Sequence, residues 1–287
     1  MALTDNSVKQ AYRDFLNTPE GVTLYHQFKR LLYTQDDSLI QWLNTSVLLA
    51  LPPAREHNAR VCDIGGGDGD RIKRILQFLH GKFRNNFRLD FIEQSPLHVA
   101  AYDPALLGQF CRTKVHNRLF EHVTLPTQSY DLVFLIHSIF AFENDKTIDK
   151  VLSLRRDSGN VVVVSNSPDS FLGGLKRIVD EELSEKRFEL DDVEQALHKL
   201  GVTYERSRTC TEWAIEKKTW KHDMEIIWNW ISLGRYHSLS DRRKIEVEEY
   251  VRDSGVPDGL RTFFREEEAV LTIPATVQQE AGRAGKG

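Results

Sequence analysis

The stretch VCDIGGGDGDRI, residues 61–72, joins an apolar segment to an amphipathic one through a turn rich in glycine and aspartate. Residues 59–66 form a short apolar run that ends in glycines, which predicts a buried parallel strand. Residues 70–83 carry apolar side chains at helical spacing and predict an α-helix. A loop between a parallel strand and the following helix lies at the carboxyl edge of the sheet, where doubly wound folds bind ligands. We therefore expect a ligand-binding loop in an α/β fold.

Strand and helix patterns continue to alternate along the chain after this loop. Further strands are predicted at 87–95, 129–140, 160–167, 202–216 and 266–275, and the segment 114–123 is ambiguous between strand and loop. Helices are predicted at 96–102, 147–156, 170–183, 190–201, 222–234 and 240–255. Continuously apolar strands that alternate with helices indicate a doubly wound α/β sheet.

The domain organisation follows from the same patterns. Residues 1–50 read as helices that end before Pro52, and we expect them to form an N-terminal lid. Residues 51–275 are predicted to form one sheet domain with helices inserted around 217–262. Residues 276–287 are small and polar, which predicts a disordered tail.

Composition and charge exclude several classes of protein. The 287-residue chain has 38 Lys and Arg against 42 Asp and Glu, so it lacks the basic excess of a nucleic-acid-binding protein. Its three cysteines, Cys62, Cys111 and Cys210, are far apart in sequence, which argues against a disulfide framework and a cysteine zinc site. No apolar run of membrane-spanning length or signal peptide is visible. We expect a monomeric cytoplasmic protein without a metal centre, a nucleic-acid partner or a membrane partner.

The glycine loop distinguishes between two classes of cofactor. Gly65, Gly67 and Gly69 give a G-x-G-x-G spacing, whereas a dinucleotide site requires glycine at position 70, which is aspartate here. The loop carries three acids, Asp63, Asp68 and Asp70. These carboxylates would repel a pyrophosphate, but they are compatible with a sulfonium ligand that has an amino acid end. The loop therefore favours S-adenosylmethionine over a nicotinamide dinucleotide.

Glu93 stands at the end of the second predicted strand, in FIEQS. A carboxylate has two acceptor oxygens and can bind both hydroxyls of a ribose. Dinucleotide sites use the same device, so this residue indicates adenosylmethionine only in combination with the acidic loop.

These motifs resemble those of class I S-adenosylmethionine-dependent methyltransferases. VCDIGGGDG and the acid of FIEQS match the first two signatures of that family. The nearest branch contains the histamine N-methyltransferase-like enzymes, which the segments FIEQSPLHVAAY, YDLVFLIHSIFAF, SNSPDSFLGGLKR and DDVEQALHKLGVTYE resemble in the same order. The similarity runs from about residue 11 to residue 273. It implies a Rossmann-like, seven-stranded methyltransferase sheet and a small-molecule acceptor.

The resemblance also implies site residues. The cofactor site would comprise Asp63, Gly65, Gly67, Gly69, Glu93, Gln94 and His98. His98 stands where the branch has a cofactor-contacting glutamine, and His137 stands where it has a glutamine at the substrate. The substrate site would comprise Glu20, Phe140, Phe171, Trp230 and Glu266. Ala141 and Leu175 replace aromatic pocket residues of the branch, and these departures argue against histamine itself as the acceptor.

Methyl transfer from a sulfonium is an in-line displacement that depends on alignment more than on strong acid–base chemistry. An amine acceptor must be bound neutral or lose a proton. We expect His137 to accept that proton, to orient a water or to donate a positioning hydrogen bond, the alternative being an ordinary strand-end histidine. Aromatic rings attract cations, and Glu20 and Glu266 are expected to neutralise a positive substrate group.

The favoured function is therefore transfer of a methyl group from S-adenosylmethionine to the nitrogen of a small amine or amino-acid-like compound. An O- or C-methyltransferase of a natural product would use the same cofactor site. A nicotinamide-dependent oxidoreductase would require the missing glycine, and a methyltransferase-like binding protein would bind the cofactor without turnover.

Overall fold

The computed structural model describes residues 13–32, 35–46, 58–142, 146–183 and 187–274. Its helices are α1 (Pro19–Leu31), α2 (Gln35–Thr45), α3 (Asp70–Phe83), α4 (Pro96–Ala101), α5 (Lys146–Leu154), α6 (Phe171–Leu183), α7 (Leu190–Lys199), α8 (Trp220–Ile231) and α9 (Asp241–Ser254). Its strands are β1 (Ala59–Ile64), β2 (Phe87–Ile92), β3 (Cys111–His116), β4 (Tyr130–Ile136), β5 (Arg155–Asn166), β6 (Glu205–Glu216), β7 (Val256–Asp258) and β8 (Arg261–Ile273). Part of the expected lid and the expected tail at 276–287 lie outside the described residues.

All these strands belong to one sheet in the order β3-β2-β1-β4-β5-β8-β6, with β7 paired to β8. Strands β1 to β5 are parallel, and β8 is inserted antiparallel between β5 and β6. The doubly wound α/β prediction is confirmed. The sheet has eight strands instead of seven because a two-residue turn pairs Asp258 with Arg261. Gly259 opens this turn with a positive φ of 56°, which glycine adopts without strain.

The core lies on both faces of the sheet. Val161 and Val163 of β5 belong to the apolar cluster on one face, which includes residues of α5 and α7. Val162 and Val164 belong to the cluster on the other face, which includes residues of α2 and α3. A strand buried on both faces must be apolar throughout, which explains the run of valines. A third cluster joins α6, α8 and α9 to β6 and β8.

The order of the strands reverses next to β1, which lies between β2 and β4. Chain segments leave β1 and β4 in opposite directions at such a point and open a crevice at the carboxyl edge. Gly65 after β1 therefore meets Ser138 after β4. A Cβ on Gly65 would lie 2.5 Å from the Cβ of Ser138, so only glycine fits this close approach.

In the described segments, no helix combines the length and the apolar character needed to cross a membrane.

Candidate active site at the carboxyl edge of the sheet

The crevice leads into a cavity of about 1300 Å³, a volume that includes its open mouth. Its floor contains the last apolar residues of three parallel strands, Ile64, Ile92 and Ile136. Helix α1 forms one wall with Tyr25, Phe28, Lys29 and Leu32. These four residues have the i, i+3, i+4, i+7 spacing of one helix face, so α1 lies lengthwise over the cavity.

The backbone of the glycine loop adopts positive φ angles at its three alternating glycines. Gly65, Gly67 and Gly69 have φ angles of 73°, 59° and 76°, a region that glycine adopts without steric cost. The N–H groups of Gly65 and Gly66 both donate to the carbonyl oxygen of Ile92, at 2.8 and 3.1 Å. Gly65 and Gly67 line the cavity. Gly69 is instead the N-cap of α3, where a Cβ would meet the ring of Tyr102 at 2.1 Å.

Glu93 follows β2 and lines the cavity with a side chain that is 6% exposed. One oxygen accepts a hydrogen bond from the N–H of Gly67 at 2.9 Å, and the other accepts from the N–H of Ser95 at 2.7 Å. Burial raises the pKa of Glu93, although these backbone hydrogen bonds oppose the shift. The backbone N–H of Gln94 acts on the same carboxylate, which has about four lone-pair sites and so keeps acceptor capacity for a ribose.

His98 and Gln94 line the same part of the cavity. His98 is 2% exposed, and its Nδ1 is buried with no hydrogen-bond partner among the described residues. Burial lowers the pKa of His98 to about 4, so the ring is neutral at physiological pH. A buried polar atom without a partner is rare in a folded protein, and here it can be satisfied by a bound cofactor.

Asp63 is 5% exposed and lies beneath the glycine loop, apart from the residues that line the cavity. A Cβ on Gly66 would lie 2.6 Å from Oδ2 of Asp63, so the carboxyl packs directly under the loop backbone. Burial raises the pKa of Asp63 to about 7.

His137 is the first residue after β4 and lines the cavity from its floor. Its φ of 52° is unusual for a residue other than glycine, and its N–H donates to the carbonyl oxygen of Val164 at 2.8 Å. Its Nε2 lies 2.6 Å from Oε1 of Glu268, and the other oxygen of Glu268 accepts from Thr209 at 3.1 Å. Burial lowers the pKa of His137, while Glu268 opposes the shift. Nδ1 has no hydrogen-bond partner within the described part of the chain.

Two of the predicted aromatic residues line the cavity and one does not. Phe140 and Trp230 line it, and Trp230 stacks on Phe28 with ring centroids 5.3 Å apart. Phe171 is 5% exposed and lies in the third core cluster against Trp213, Tyr250 and Phe264. Phe171 is the first residue of α6, and the next residue, Leu172, lines the cavity in its place.

The two predicted substrate acids do not line the cavity. Glu20 is exposed in the first turn of α1, five residues before Tyr25 and therefore on the opposite helix face. Glu266 is completely buried, and burial raises its pKa to about 7. Its oxygens accept from the side chain of Asn166 at 2.7 Å and the N–H of Leu172 at 3.0 Å. Glu266 thus supports the start of α6 from behind the cavity wall.

Sequence reasoning missed three functional candidates at this site: Glu268, which contacts His137 but does not itself line the cavity, and Arg71 and Lys176, which do. The first had a usable signal: side chains alternate along a strand, so Glu268 shares a face with the buried Val270. Arg71 lines the cavity from α3, and its Nε lies 2.6 Å from Oδ1 of Asp36 on α2. Lys29 of α1 binds both oxygens of Asp68 in the glycine loop, at 2.7 and 2.9 Å. These ion pairs join α1 and α2 to the loop and to α3.

Neither a known protein family nor a curated protein matches the sequence. Solved structures do match the fold. A Haemonchus contortus phosphoethanolamine N-methyltransferase 2 aligns with a TM-score of 0.54 and 15% identity over 92% of this chain and 59% of that enzyme, so the chain spans less than two thirds of its length. A Bacillus halodurans protein assigned as a methyltransferase has a TM-score of 0.51 and 16% identity over 83% and 97% of the two chains.

A plantazolicin methyltransferase aligns with a TM-score of 0.51 and 13% identity over 93% of this chain and 95% of that one. The sheet order and these alignments identify the fold as the Rossmann-like fold of class I S-adenosylmethionine-dependent methyltransferases.

Proposed function

We propose that the chain is an S-adenosylmethionine-dependent methyltransferase that acts on a small molecule, with a nitrogen as the preferred acceptor atom. The observation that carries the proposal is that His137, which lines the same cavity as the glycine loop, is paired with Glu268. The Haemonchus contortus enzyme was solved with phosphomonomethylethanolamine and S-adenosylhomocysteine, and the plantazolicin methyltransferase with S-adenosylhomocysteine, which supports this cofactor.

The residues at the carboxyl ends of β1 and β2 fit this cofactor. The backbone of the glycine loop lines the cavity, and the carboxylate of Glu93 can accept hydrogen bonds from a ribose. Nδ1 of His98 has no hydrogen-bond partner among the described residues and can bind the cofactor. Bound there, adenosylmethionine supplies a methyl group on a positively charged sulfur. Helix α1 covers this side of the cavity and helps to exclude water, which supports the proposed role of the N-terminal segment as a lid.

His137 is suited to receive the proton that the acceptor loses. Its lowered pKa keeps the imidazole neutral, because burial disfavours the charged form and both Arg71 and Lys176 add to this effect. Glu268 accepts from Nε2 and holds the ring in one tautomer, which leaves the lone pair of Nδ1 available. The proton on the attacking atom passes to Nδ1, and Glu268 stabilises the resulting imidazolium.

A hydroxyl acceptor is the second candidate, since a neutral histidine held by a carboxylate can also deprotonate a hydroxyl. Nitrogen is preferred because the same positive groups that lower the pKa of His137 also favour the neutral, nucleophilic form of a bound amine.

The test is incubation with adenosylmethionine and a panel of biogenic amines, amino acids and phenols, with mass spectrometry to detect a gain of one methyl group. We expect amines to be methylated, and His137→Ala to abolish the gain while it preserves adenosylhomocysteine affinity. The control is His237→Ala, because His237 is exposed and lies outside the cavity. Methylation of phenols alone would overturn the nitrogen preference. Cofactor binding without any product would favour a non-catalytic protein.

A further inference from the structure

One ammonium group of the cavity, that of Lys176, is not in contact with a carboxylate of any described residue. Lys176 of α6 is half-buried, and its Nζ makes one hydrogen bond, to the amide oxygen of Asn166 at 3.0 Å. No carboxylate of a described residue forms a direct ion pair with it. Burial lowers the pKa of Lys176 and the nearby Arg187 adds to this shift, while the more distant carboxylates of Glu266, Glu189 and Asp180 oppose it. An ammonium group has three N–H donors and only one of them is used by Asn166, so Nζ can still donate to an anion.

The position of Lys176 is held from behind. The side-chain nitrogen of Asn166 donates to Glu266 at 2.7 Å, which fixes the orientation of the amide and turns its oxygen towards Lys176. Glu266 is itself tied to the N–H of Leu172 in the first turn of α6. A fully buried carboxylate thus orients the amide that positions the ammonium. This is an organised site rather than a flexible surface lysine.

The other cationic side chains of the cavity are either paired with carboxylates or exposed to solvent. Lys29 is paired with Asp68, and Arg71 is paired with Asp36. Arg118 is exposed to solvent. These groups and Lys176 make the lining more basic than acidic.

Among the residues that line the first cavity, two acids oppose these cations. Glu93 accepts hydrogen bonds from the backbone of Gly67 and Ser95, and Glu121 accepts one from Thr147 at 3.4 Å. Both acids follow β2 or β3 in the chain, whereas Lys176 comes from α6 beyond β5. An anion at Lys176 would therefore be bound from the β5 side of the cavity, away from Glu93.

A second cavity shares a wall with the first. Phe140, Ser165, Asn166 and Lys176 line both of them. The second cavity extends between α6 and the start of α7, so Lys176 stands at the boundary between the space beside His137 and this extension. The lining of the extension has more acids than cations, so an anion is favoured at Nζ itself and not further inside. The acids are Asp180, Glu181, Glu189, Asp191 and Asp192.

We infer that the methyl acceptor carries an anionic group, a carboxylate or a phosphate, which binds Nζ of Lys176 at the boundary between the two cavities. The inference rests on the proposed methyl transfer, since it concerns the acceptor of that reaction. The nucleophilic atom lies on the His137 side of this anion, and the remainder of a larger acceptor extends past Phe140. This group of the acceptor is negative, whereas Glu20 and Glu266 led us to predict a positive group from the sequence.

The test uses matched acidic and neutral probes with the adenosylhomocysteine complex, and calorimetry to measure binding without turnover. The carboxylate pair is 4-aminobutyrate and 4-aminobutanamide, and the phosphate pair is phosphoethanolamine and ethanolamine. We expect one acidic probe to bind at least about tenfold more tightly than its neutral partner, as befits a charged hydrogen bond. Lys176→Gln should abolish that preference, and Lys176→Arg should retain part of it. Lys221→Gln, an exposed lysine on α8, should retain all of it.

Equal affinity within both pairs, or a preference that survives in Lys176→Gln, would overturn the inference. Failure of every acidic probe to bind would overturn it as well. The same probes are then incubated with adenosylmethionine. Anion binding through Lys176 without methylation of any acceptor in the wider panel would contradict the proposed function and leave the anion site standing. Methylation of neutral acceptors at a rate that Lys176→Gln does not change would leave the function standing and contradict the anion site.

Discussion

Nε2 of His137 lies 2.6 Å from Oε1 of Glu268, although 131 residues separate them in the chain. Their strands, β4 and β8, are not neighbours, because β5 lies between them and pairs with both. The second oxygen of Glu268 reaches Thr209 on β6, so one buried carboxylate connects the first residue after β4 with the far edge of the sheet. The geometry gives Glu268 the role of a positioning residue for the histidine.

We expect Glu268→Gln to lower kcat by about tenfold to a hundredfold, because the imidazolium loses its counter-charge. Adenosylhomocysteine affinity should not change. Since Glu268 raises the pKa of His137 against the effect of burial, its removal lowers this pKa further. The acidic limb of the pH profile of kcat/KM should therefore move to lower pH. Glu267→Gln is the matched control, because Glu267 pairs with Arg208 on the opposite face. An unmoved acidic limb would count against the pair.

Glu93→Ala should weaken adenosylhomocysteine binding by about tenfold or more, the expected effect of losing charged hydrogen bonds. Because Glu93 also holds the N–H of Gly67, affinity alone does not isolate its contact with ribose. The second measurement compares adenosylhomocysteine with its 2′-deoxy analogue by calorimetry. The unmodified protein should prefer the ribose form and the variant should not. Asp149→Ala, at an exposed site, is the control. A variant that still prefers the ribose form would contradict the assignment.

Gly65→Ala should reduce both stability and cofactor affinity. The residue has a φ of 73°, and the added Cβ would lie 2.5 Å from the Cβ of Ser138, which cannot rotate away. Gly81→Ala in α3 is the matched change, since nothing lies within 4 Å of its added Cβ and alanine favours a helix by about 1 kcal/mol. Thermal unfolding should show a lower Tm for the first variant and an equal or higher Tm for the second. Equal effects at the two sites would argue against a close approach of Gly65 to Ser138.

Asp63 should make stability depend on pH. Burial raises its pKa from 3.8 to about 7, so the folded protein keeps a proton that the unfolded chain releases. The free energy of unfolding contributed by this group is present at low pH and is lost as the pH rises towards 7. Asp63→Asn should therefore gain stability relative to the unmodified protein between pH 5 and pH 8. Urea unfolding without cofactor measures this difference, with the exposed Asp149→Asn as control. Parallel curves for all three proteins would refute the expectation.

Much of the proposed cofactor site follows from local sequence. The apolar run before Gly65 and the amphipathic segment after Gly69 specify a strand, a turn and a helix through side-chain periodicity and backbone freedom alone. Val161 to Val164 specify a strand buried on both faces. Once the strands are parallel, the carboxyl ends of β1 and β2 adjoin, so Gly67 and Glu93 meet as the motifs indicated.

The residues of the proposed acceptor site could be placed only from the tertiary structure. The run of three acids in β8 reads as a solvated stretch, yet the insertion of β8 between β5 and β6 buries Glu266 and Glu268. Phe171 lies in the core and Glu20 in solvent because the positions of α6 and α1 decide which helix face meets the cavity. The sequence by itself determined the strand, the glycine loop and the acid that follows β2, whose geometry depends on neighbours in the chain. Only the tertiary structure decided that Glu268 reaches His137 and that Lys176 lines the same cavity as His137, because these contacts form between strands and helices distant in sequence.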